Sequence, residues 1–102
     1  MSQDRLNELN QHVSEAIYAA ERTADQNSVE AKEAYLKVSR LEEQIAELVP
    51  ASNVQGAIAR RGAVRAAMNA GDERRAIGLA ATYARAGADE TLTRELQELL
   101  KP

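Results

Sequence analysis

At 102 residues, with 13 basic and 16 acidic side chains and a net charge of −3, the chain fits one domain with one modest core and is too short for two independent ones. The absence of cysteine excludes disulfides, thiolate metal sites and cysteine nucleophiles. Tryptophan and phenylalanine are also missing, while 20 alanines let helix backbones approach closely around a lean core. No apolar run approaches the roughly 18 residues of a membrane span, and the polar start Ser2-Gln3-Asp4-Arg5 lacks the basic and apolar regions of a signal peptide, so a soluble, cytoplasmic protein with no membrane contact is expected.

The first helix is expected from about Gln3 to Ala24, with an apolar seam of Leu6, Leu9, Val13, Ile17, Ala20 and Ala24. A second, from about Ser28 to Val49, carries a heptad seam of Ala31, Ala34, Val38, Leu41, Ile45 and Leu48. Between them, Asp25-Gln26-Asn27-Ser28 favours caps and turns, and Asn27 with Glu30 reads as an N-cap and its reciprocal partner. That favours an antiparallel hairpin. The spacing 17, 20, 24, 27, 31, 34, 38 is nevertheless continuous, and one helix of about 46 residues, roughly 70 Å long, also satisfies it and would form a coiled-coil dimer.

Val49-Pro50-Ala51-Ser52 ends the second helix, and Ser52 with Gln55 matches a capping box for a third from about Asn53 to Ala70. Its expected inward residues are Val54, Ile58, Val64 and Met68. Gly71 stops it and Asp72 caps a fourth helix to about Ala86, with Ile77, Ala80 and Tyr83 inward. Gly87 stops that helix, and Asp89 caps a fifth whose apolar stripe is Leu92, Leu96, Leu99 and Leu100. Gly56, Gly62 and Gly78 are expected at close helix crossings. The fold class is all-α: an N-terminal hairpin or long coiled-coil helix over 1–49, then a small C-terminal three-helix bundle over 50–102, cooperating as one domain.

The segment Ala70-Gly71-Asp72-Glu73-Arg74-Arg75-Ala76-Ile77 resembles the turn and second-helix opening of a tetratricopeptide-type hairpin, in which Gly-Asp precedes a closely packed alanine. The resemblance implies a helical hairpin over 53–86. The large aromatic and Leu-Gly pair of that family's first helix are absent upstream, and no second copy recurs at a spacing of about 34 residues.

Catalytic patterns are sparse. His12, the single histidine, shares a helix face with Glu8 and Glu15, and a solvated face rather than a metal site is expected there. Glu43 and Glu47 lie one turn apart and are expected to face water. The glycines build no phosphate loop, and no cofactor or enzymatic activity is expected.

Val29 and Leu36 lie on a different side of the second helix from Val38 and Leu41, so that helix should be contacted on two faces. Tyr18 and Tyr35 flank the seams. An oligomer or partner interface is expected at Val29, Leu36, Val38, Leu41, Ile45 and Leu48, in a homo-oligomer with a dimer favoured. Residues 1–50 hold ten acidic and five basic side chains, 51–88 hold two and six, and 89–102 hold four and two. The middle is therefore a basic island, and Arg60, Arg61, Arg65, Arg74 and Arg75 are candidates for contact with phosphates or an acidic protein surface. These features point to a non-enzymatic protein–protein interaction module: an adaptor, assembly factor or small chaperone. The alternative is a small nucleic-acid-associated regulator using the arginine-rich third and fourth helices, although it lacks the interleaved aromatics that stack on single-strand bases.

Overall fold

The computed structural model describes residues 2–23 and 25–101, and every regular element among them is a helix: α1 (Ser2–Arg22), α2 (Val29–Leu48), α3 (Val54–Asn69), α4 (Glu73–Arg85) and α5 (Glu90–Leu99). Ala24, the last position of the first seam, lies outside the described residues.

The continuous 46-residue helix does not form. Ser28 adopts an extended backbone and its hydroxyl accepts the Ala31 N–H at 3.1 Å, so Ser28 and not Asn27 caps α2. The Asp25 carboxylate accepts the Asn27 N–H at 2.9 Å in a local turn. The Gln26 amide donates to the carbonyls of Ala20 and Thr23 at the end of α1, and its oxygen accepts the Tyr35 hydroxyl at 2.7 Å. Polar side chains thus satisfy the helix ends that a continuous helix would not expose, and α1 packs on α2.

At the other end of α2, Val49 is extended ahead of Pro50, and α3 starts one residue later than expected. Its cap is Asn53, which accepts the Gln55 N–H at 2.8 Å, while Ser52 is exposed. Helix α3 ends in a Schellman motif: Gly71 takes a φ of 75°, its N–H donates to Met68, and the Asp72 N–H donates to Ala67. Asp72 then accepts the Arg75 N–H and starts α4, which folds back onto α3 with Ala76 fully buried. Gly87, at φ 96°, ends α4 in the same way, with the Ala88 N–H on the Tyr83 carbonyl, and Asp89 caps α5.

The inward faces of α3 and α4 follow the periodicity reading in part: Val64, Ala80 and Tyr83 are buried as expected, but Val54 and Ile58 are 77% and 50% exposed and Ile77 is 54% exposed, and Ala59, Ala63, Ala66 and Ala67 of α3 and Ala76 and Leu79 of α4 are buried with them. Close approach is the cause. A Cβ on Gly56 would overlap the Pro50 carbonyl, so only the small-residue face of α3 fits against α2, and the bulky Val54 and Ile58 turn outward. A Cβ on Gly78 would meet nothing within 4 Å beyond its own helix, so this glycine marks no crossing.

A continuous core links Leu6, Leu9 and Val13 of α1 through Val38, Leu41 and Ile45 of α2 to Leu92 and Leu96 of α5. The molecule is a flat slab, 37 × 34 × 16 Å in its principal extents. Helices α2 and α3 form its middle; α1 packs on α2 alone, and α4 and α5 pack on α3 and on each other. Two glycine substitutions should therefore have opposite signs in urea unfolding. Gly56→Ala should lose about 2 kcal/mol or more by overpacking, and Gly78→Ala should gain about 0.5–1 kcal/mol by replacing glycine in an open helix interior.

Candidate functional site

Because α1 and α3 each pack on α2 and make no packing contact with one another, they leave an open groove of about 250 Å³ above α2. Tyr35, Val38 and Glu42, at i, i+3 and i+7, lie along α2 as its floor. Ile17 and Glu21 form the α1 wall, and Gly62, Arg65, Ala66 and Asn69 the α3 wall. A side chain on Gly62 would overlap the Glu42 carboxylate, so the glycine makes room for that group.

Glu42 is the distinctive residue. It is 9% exposed, yet no hydrogen bond or ion pair engages its carboxylate among the described residues. Burial pushes its carboxyl up from 4.5 to about 7, and the positive charge of Arg65 lowers it only in part. A carboxyl in this setting accepts a hydrogen bond or a cation and exchanges its proton near neutrality. Sequence periodicity missed it because it lies off the heptad seam, between Leu41 and Glu43. The available signal was Gly62, a glycine in a helix interior whose missing side chain needs a reason.

The arginine island is dispersed. Arg60, expected at the surface, is 7% exposed: its Nη1 donates to the carbonyls of Val49 at 2.8 Å and Gly56 at 3.0 Å, and its Nη2 to that of Ala46 at 3.1 Å. It caps the negative C-terminal end of α2 from within α3, with its guanidinium 5.3 Å from the centre of the Tyr83 ring. Arg60 Nε and the Tyr83 hydroxyl are buried without partners, and burial, reinforced by Glu43, pushes the Tyr83 hydroxyl up to about 12. Arg75 pairs with Glu43 at 2.6 Å and donates through Nε to Ser39, whose hydroxyl in turn donates to the Ala63 carbonyl. Glu43 is thereby tied into the α2–α3–α4 junction while its side chain stays 39% exposed, and Glu47 is exposed. Arg61 pairs with Glu95 of α5 at 3.2 Å. Arg65 and Arg74 are the exposed members of the five.

Of the expected interface residues, Val38, Leu41 and Ile45 are buried by the chain's own helices, Leu36 is half-buried, and Val29 and Leu48 are exposed. The heptad seam therefore meets α1 and α3, not a free surface. Tyr18 lies outside under the Arg22 guanidinium, 4.6 Å from its ring centre. His12 and Glu15 are exposed beside Lys37 along a cleft of about 340 Å³ between α1 and α2. No helix among the described residues is long and apolar enough to cross a membrane. The fold defines a small all-helical bundle, and no protein family, curated protein or solved structure matches the chain.

Glu42 holds its proton more tightly in the fold, at about 7, than in the unfolded chain, near 4.5. Its contribution is therefore full below 4.5 and lost as pH rises through 7. Glu42→Gln should raise stability by about 2 kcal/mol at pH 8 and leave it nearly unchanged at pH 4.5, as read by urea unfolding at both values. In the same assay Arg60→Ala should cost about 3 kcal/mol, because charge-assisted bonds at a buried helix end are lost, whereas Arg61→Ala should cost less than about 1 kcal/mol.

Proposed function

We propose that this chain is a non-enzymatic protein-interaction module, an adaptor, assembly factor or small chaperone, in which a hairpin of α1 and α2 is mounted on a bundle of α3, α4 and α5. Its docking face is the groove over α2. The observation that carries this reading is the open floor between two helices that do not touch, with apolar and charged groups side by side: Val38, Ile17 and Ala66 next to Glu42, Glu21 and Arg65. Such mixed lining suits recognition, in which apolar contact supplies affinity and a few polar groups fix orientation. Among the described residues Glu42 also has no hydrogen-bonded neighbour to orient it as a general acid or base would require, which favours binding over catalysis.

Self-association through the two apolar seams loses support, since they face the chain's own helices. The exposed large apolar residues, Tyr18, Val29, Leu48, Val54, Ile58 and Ile77, are spread over four helices and form no seam for a second copy. The nucleic-acid reading is weakened too, because Arg60, Arg61 and Arg75 are engaged internally.

A photo-crosslinking residue at the groove-rim position Asn69 should give, in extract of the cells the chain comes from, an adduct of one defined mass. Excess unlabelled chain should compete it away, and the same residue at Thr82 on α4 should give none. Equal adducts from both positions, or none from either, would remove the groove as a docking face. Light scattering that reads 11 kDa instead of 22 kDa would remove self-association and leave docking untouched.

A further inference from the structure

We propose that the groove is a receptor for one basic side chain, lysine or arginine, presented by a helix of a partner protein, with the cation seated on Glu42. The inference rests on the docking role and adds the chemistry of the partner.

Charge complementarity is the first argument. Glu42 is about nine-tenths buried, its carboxylate is unpaired, and it lines the groove. The charged groups that line the groove with it are Glu21 on α1 and Arg65 on α3, so with Glu42 ionised the groove carries a net −1. Arg65 is exposed and makes no ion pair with Glu42, and it therefore leaves the carboxylate, whose oxygens open on the groove, without a contact partner. Desolvation of that lone carboxylate is unfavourable, as its elevated proton affinity records. An incoming cation that excludes water would offset the penalty at the point where it arises.

Shape gives the second argument. The volume of about 250 Å³ lies below the roughly 300–1,000 Å³ of typical small-molecule pockets and suits one long side chain. Tyr35 to Glu42 spans seven residues, about 10 Å at 1.5 Å per residue, a length that a partner helix can follow along the rim while one of its side chains enters the groove. Ile17, Val38 and Ala66 offer apolar surface to the aliphatic stem of a lysine or arginine whose charged end reaches Glu42. Gly62 keeps the place beside the carboxylate free of a side chain.

The test uses the full chain with its glutamate carboxyl carbons labelled for NMR, and n-butylammonium as the lysine side-chain probe against n-butanol. At pH 8, butylammonium should shift the Glu42 carboxyl resonance saturably and spare the exposed glutamates, and butanol should not. The binding slope should fall roughly thirtyfold at pH 5.5 as Glu42 takes up its proton, because about 90% of a group titrating near 7 is ionised at pH 8 and about 3% at pH 5.5. Equal shifts of all carboxylates, or equal binding of butanol, would overturn the proposal.

The second arm introduces Glu42→Gln into the Asn69 crosslinking variant. This keeps shape and removes charge, and it should reduce the partner adduct at least tenfold. An adduct that persists unchanged leaves the docking role standing and overturns the basic side chain. Failure of the Asn69 adduct while butylammonium still seats on Glu42 overturns the protein partner and the docking role, leaving the cation site. An adduct with the mass of two chains makes the occupant a second copy. Spermidine that binds at least a hundredfold more tightly than butylammonium makes it a free polyamine. Either result overturns the partner helix.

Discussion

The Arg60 guanidinium, sealed beneath the end of α2, is the contact on which the rest of the architecture hangs. A helix that ends in the interior leaves carbonyls without partners and a negative dipole end. Arg60 reaches from α3 to satisfy Ala46 and Val49 on α2 together with Gly56 on its own helix, and its plane lies over Tyr83 of α4. One side chain thereby holds three helices at a common point. The geometry also explains why the α2–α3 connection is so tight: the forked donor set requires the helices to converge, and Gly56 permits that convergence beneath Pro50. Lysine, with a single ammonium in place of a planar fork, would not reproduce it.

A second layer lies beside this junction. Ser39, fully buried, passes a hydrogen bond to Ala63 and receives one from Arg75, which is also paired with Glu43. Each polar group here has a partner, and that is what makes their burial tolerable. Glu42, one residue from Glu43, points to the other side and has none. Two adjacent glutamates on α2 therefore occupy opposite electrostatic situations, one bound into the structural frame and one held open over the groove. The contrast ties the first into the packing of the bundle and leaves the second open to the groove.

What was legible in the chain follows from the range of the forces involved. Helix ends depend on residues within about four positions, and Gly71, Asp72, Gly87 and Asp89 stood where local chemistry placed them; Ser28 and Asn53 each displaced a neighbouring polar candidate by one residue. Helix faces were less legible. Periodicity selects the bulkiest residues as inward, but the distance between α2 and α3 is set by backbone contact, and alanine prevails over valine and isoleucine when that distance is short. Arg60 and Glu42 were not legible at all as what they are. The partners of Arg60 lie up to 14 positions away, and the room around Glu42 is created by a glycine 20 positions on. The five candidate arginines of the basic island are therefore a capping group, two members of ion pairs and two exposed charges.

The flatness of the slab has a consequence for motion. Helix α1 rests on a single neighbour, while α3 is held by three. Detachment of α1 breaks one interface and leaves the contacts among α2, α3, α4 and α5 intact, so α1 can open as a unit without disturbing the rest of the bundle. The groove exists only while α1 is docked, since α1 supplies one of its walls. Any occupant that touches both walls is thus thermodynamically linked to the closed position of α1 and slows its opening in proportion to occupancy.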